Sequence, residues 1–76
     1  GVPMTQSIVG IDTATLGKEI IFINNRFAAR GEPGFEKVGL QADPIPAANA
    51  VLDMEDALDD FDRQILRIFL DRVTTP

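Results

Sequence analysis

Hydrophobic and polar positions follow two different rhythms along this chain. Over Ala47 to Val73 (AANAVLDMEDALDDFDRQILRIFLDRV) apolar residues return every three or four positions. Val51, Met54, Leu58, Phe61, Ile65, Ile68 and Phe69 therefore fall on one stripe of a 3.6-residue helix. Leu66, Leu70 and Val73 widen that stripe over the last two turns. The spacing predicts one long amphipathic helix over residues 46–73. Pro44 and Pro46 frame its start, because proline suits a first helical turn and biases the residue before it away from helix. Asn49 or Asp53 could each cap a later start, and the pattern leaves open whether the helix is continuous through Asp53.

Upstream, the apolar runs are shorter and read as strands separated by turns. Thr5 to Asp12, around Ile8-Val9-Gly10-Ile11, is a first strand, followed by a turn that Gly17 closes. Lys18 to Asn24 carries Ile20-Ile21-Phe22-Ile23 consecutively, as a central, covered strand would. Asn24-Asn25 punctuates the chain, Arg26 to Arg30 is a third strand, and Gly31-Glu32-Pro33-Gly34 is the clearest turn. Phe35 to Leu40 alternates as an edge strand does. The expected fold is α+β: a small antiparallel sheet of three to four short strands, with the long C-terminal helix packed on one face. It makes one small domain over 1–76, with strands and turns in 4–45. Gly1-Val2-Pro3 ahead of Met4 reads as a tag or cloning remnant.

Charge changes the picture more than composition does. Seven lysines and arginines against twelve aspartates and glutamates leave a net −5, and cysteine and histidine are absent. That excludes disulfides, thiolate zinc sites and Cys or His nucleophiles, and it opposes non-specific attraction to nucleic acid or an anionic membrane. No apolar run approaches the roughly eighteen residues of a membrane span. The expectation is a cytoplasmic protein that is not an enzyme, with no cofactor and no metal.

The acids are concentrated. Asp53, Glu55, Asp56, Asp59, Asp60 and Asp62 precede Arg63, Arg67 and Arg72, an order that complements a helix dipole. This reads as a solvated helix face or as an acidic patch that meets a basic surface on another molecule. The candidate partner-binding residues are Asp56, Asp59, Asp60 and Asp62 on the helix, Arg26 and Arg30 at a strand edge, and Leu66 and Leu70 where the apolar face is wider than one small sheet requires. Leu58 to Leu66, LDDFDRQIL, also resembles the opening helix of leucine-responsive-type DNA-binding regulators, although too few residues follow it for a recognition helix.

A chain whose first methionine opens MTQSIVGID, strongly acidic and free of Cys, His, Trp and Tyr, is similar to the small RNA polymerase-binding transcription regulators of lytic phages such as those of Xanthomonas. The resemblance lies in length and charge and carries over no functional residue. It implies binding to host RNA polymerase, chiefly its largest subunit, by protein–protein contact in the bacterial cytoplasm. Inhibition of host initiation and antitermination follow from the same resemblance. The alternative is a small structural or assembly subunit that oligomerises through Leu66, Leu70 and Val73.

Overall fold

Leu16, Ile20, Ile23 and Phe27 are spaced by four, three and four residues, and all four are buried. That is helical spacing, and a computed structural model of the chain, describing residues 8–75, forms one helix there, α1, Thr13–Ala29. Two more follow: α2, Pro44–Leu52, and α3, Asp60–Thr74, separated by a 3₁₀ turn at Glu55–Ala57. There is no strand among the described residues. The expected α+β architecture is therefore corrected to an all-α one.

Each expected strand has a specific replacement. Ile8 and Val9 are helical, while Thr5 to Ser7, like Gly1-Val2-Pro3, lie outside the described residues. Lys18 to Asn24 and most of Arg26 to Arg30 belong to α1. Four consecutive apolar residues satisfy a strand period and a helix period alike, and the longer window decides between them. In α1 the run costs one exposed side chain, Phe22, which is 59% exposed, while Ile20, Ile21 and Ile23 enter the core. Phe35 to Gly39 has no regular structure.

The turn at Gly31–Gly34 is where the sequence places it. Gly31 and Gly34 have φ of 77° and 88°, a region open to glycine at little steric cost. The Gly31 N–H donates to the Ala28 carbonyl at 3.0 Å and the Glu32 N–H to that of Phe27 at 3.2 Å, a Schellman closure of α1.

The long C-terminal helix is broken. At 1.5 Å per residue an unbroken helix over 46–73 would run to about 40 Å, longer than the molecule's greatest extent of 36 Å. Asp43 caps α2, its Oδ1 accepting from the Ile45 N–H at 3.0 Å, so the helix starts at Pro44 and Pro46 sits inside its first turn. Asp59 caps α3, its Oδ1 accepting from the Asp62 N–H at 2.8 Å. With the chain folded back between them, α2 and α3 both pack on α1. Val51, Leu58, Ile65, Leu66 and Phe69 join the residues of α1 in one core.

Gly17 lies inside α1 and closes no turn. A Cβ there would stand 2.9 Å from Pro44 Cγ and 3.4 Å from Phe69 Cε1, so the glycine lets α2 and α3 approach α1 at one point. At the far end, Arg72 Nη2 donates to the Val9 carbonyl at 2.7 Å, and Nη1 donates to the Ile11 carbonyl. These bonds hold the first helical turn, with buried Ile8, against the end of α3.

Candidate functional site

The acids of the α2–α3 connection do not act as one patch. Asp62 is 8% exposed and forms an ion pair with Arg26 of α1. Glu55 is held by Arg67, whose Nη2 donates to Oε1 at 2.7 Å while Nε donates to Oε2. The Arg67 guanidinium holds the Glu55 carboxyl below its ordinary range, and Glu55 in turn raises Arg67. Asp60 pairs with Arg63 Nη1 at 2.9 Å, and Arg63 Nη2 donates to the Leu58 carbonyl at 2.9 Å. Asp59 is exposed but occupied as the α3 cap. Asp53 and Asp56 are exposed and take part in no ion pair among the described residues.

Arg26 and Arg30, placed by the sequence on a strand edge, lie instead at the end of α1 beside Asp59 and Asp62. α1 carries both arginines to a small hollow of about 260 Å³, lined also by Leu58, Asp59 and Asp62. One pair forms there, Arg26 with Asp62, while Arg30 and Asp59 line the same hollow. What is left over is negative: Asp53, Asp56 and the solvent side of Asp59 and Asp60 form an acidic edge along the connection.

Leu66 is 0% exposed, and Leu70 is half-buried against the core. Of the apolar surplus of the C-terminal segment, Leu66 is thus taken up wholly by the core and Leu70 in part. Leu66 is not a docking residue, because a three-helix core needs apolar contact on more sides than a helix laid on a sheet does. Val73 stays at the surface, 36% exposed.

Sequence reasoning missed a second surface. Asn24, 4% exposed, donates from Nδ2 to the Glu36 carbonyl at 2.9 Å. The Asn25 amide pairs with both backbone groups of Val38, donating to its carbonyl at 2.8 Å and accepting from its N–H at 2.9 Å. Phe27 and Phe35 rings meet with centroids 4.9 Å apart. These contacts pin the irregular segment along α1 and open a groove of about 630 Å³ between it and α2. The available signal was two asparagines one turn before a helix end, which mark a turn as readily as a clamp.

Among the described residues, no group of three metal-binding side chains converges and no helix is long and apolar enough to cross a membrane. No protein-family model, no curated protein and no solved structure matches this chain.

Proposed function

We propose that this protein is a transcription regulator of the lytic-phage type, which works by contact with RNA polymerase and performs no chemistry of its own. Its acidic edge at the α2–α3 connection is the contact surface. The observation that supports this reading is the division among the acids of the connection: Asp62, Glu55 and Asp60 are answered by Arg26, Arg67 and Arg63, whereas Asp53 and Asp56 take part in no ion pair among the described residues. Exposed carboxylates outside the fold's own ion pairs favour a basic protein surface and steer its approach over a Debye length of about 8 Å at physiological salt. RNA polymerase as that partner rests on the resemblance in length and charge.

The test is retention of purified bacterial RNA polymerase on the immobilised protein. Binding at moderate salt, weakening as salt rises, is the expected result. Asp53→Lys with Asp56→Lys should reduce it at least tenfold with the fold intact. Reversal at Asp59 or Asp62 is uninformative, because it removes a helix cap or a half-buried ion pair. Failure to retain polymerase, or retention indifferent to the double reversal, would overturn the reading.

A further inference from the structure

The groove between the pinned segment and α2 has a composition that selects its occupant. Its apolar lining comes from Phe35, Val38, Ala42, Pro46, Ala47 and Ala50. Three of these are alanines, so depth comes from short side chains on α2 and just before it. Glu32, Glu36 and Asp43 also line it, and among the described residues no lysine or arginine does. The Asp43 carboxylate is held as the α2 cap, and the backbone at Glu36 is fixed by the bond from Asn24 to its carbonyl. The volume falls within the usual 300–1,000 Å³ of binding pockets. The walls are held by hydrogen bonds and a ring contact, so little ordering cost remains to be met on binding.

We propose that this groove docks a short segment of a partner protein that places apolar side chains on the alanine floor and lysines or arginines against the three carboxylates. Charge decides among occupants. Nucleic acid and anionic lipid carry the sign of the rim. A second copy of this chain is a poor candidate, since it has net charge −5. Four of its seven cations, Arg26, Arg63, Arg67 and Arg72, are already engaged within the fold. A basic, apolar peptide segment matches both the floor and the rim. The groove shares no residue with the edge at Asp53 to Asp60, so the two readings stand or fall separately.

The experiment is fluorescence anisotropy with three fluorescein-labelled nonapeptides and the full chain. The first has a Leu-Phe-Val centre flanked by lysines, the second the same centre flanked by glutamates, and the third a Gly-Ser centre flanked by lysines. The first should bind at least tenfold more tightly than either of the others. Glu32→Lys with Glu36→Lys should weaken it tenfold or more, as should Ala50→Arg, and Asp53→Lys with Asp56→Lys should leave it within twofold. The charge pair keeps the test decisive where Ala50→Arg disturbs α2. Equal binding of both lysine peptides means charge alone, and equal binding of both apolar peptides means no role for the rim. Either result, no binding of the first peptide, or self-association that Ala50→Arg abolishes overturns the proposal.

Discussion

Three aspartates within four positions show how far a residue's role depends on what faces it. Asp59 satisfies a backbone N–H, Asp60 meets an arginine in solvent, and Asp62 is buried against an arginine from another helix. In the sequence all three are one acidic run. Glu55 is a residue whose protonation is tied to structure. Its carboxyl lies below its ordinary range, first through the hydrogen bond from Arg67 and then through the charge of that guanidinium, while desolvation opposes them. A carboxyl lowered in the folded state contributes stability above its unfolded value and loses it as pH falls through the folded one. With Arg67 64% exposed, water screens the pair and the effect is modest. Thermal midpoints of the wild type and Glu55→Gln should differ most near neutrality and converge on acidification below the ordinary glutamate range. A gap that is constant with pH would remove this pair as its source. The acids and arginines were legible as an ordered gradient, but the identity of each pair was not, because Arg26 lies 36 positions from Asp62.

At the scale of elements, the strongest local statement is made by a missing side chain. Alanine in place of Gly17 would gain up to about 1 kcal/mol of helix propensity. Its Cβ, however, would stand 2.9 Å from a carbon of the Pro44 ring, which cannot swing aside as a flexible chain end can. Overpacking of this kind typically costs about 1–3 kcal/mol. Gly17→Ala should therefore be net destabilising by about 1 kcal/mol, measured by chemical denaturation, and a stabilised variant would show that α2 yields there. The turn at Gly31–Gly34 was legible from its glycines, both of which have positive φ, but not that a helix ends there, because Arg26 to Arg30 read as a strand. The C-terminal segment was legible as helical and amphipathic, with its break left open. What resolved the break was Asp59, whose capping bond becomes available only if the chain leaves the helix at Leu58, which has φ −86° and ψ 147°.

For the whole molecule, burial is the quantity that reassigns function. Leu66 was a candidate for partner contact while the core was expected to be one helix on a small sheet, and with three helices it is fully enclosed. Leu66→Ala should cost about 2–5 kcal/mol of unfolding free energy. That loss should be the same at low and high protein concentration. A loss that grows with protein concentration would instead place Leu66 at an interface between copies. The exposed acidic edge and the rimmed groove are likewise properties of the assembled molecule, since each draws its character from which charges the packing has already neutralised.

The sequence by itself determined the periodicity of the last third, the glycine turn after residue 30, the negative charge and the absence of Cys and His chemistry. These depend on neighbours within a turn or on composition alone. Only the tertiary structure decided that Ile20 to Ile23 is helical and that the C-terminal segment bends at Asp53–Asp59. It also decided which acids remain unpaired. A run of consecutive apolar residues, like a row of carboxylates, is compatible with several local conformations. The free energy that selects one comes from burying α1 against two helices far away in the chain.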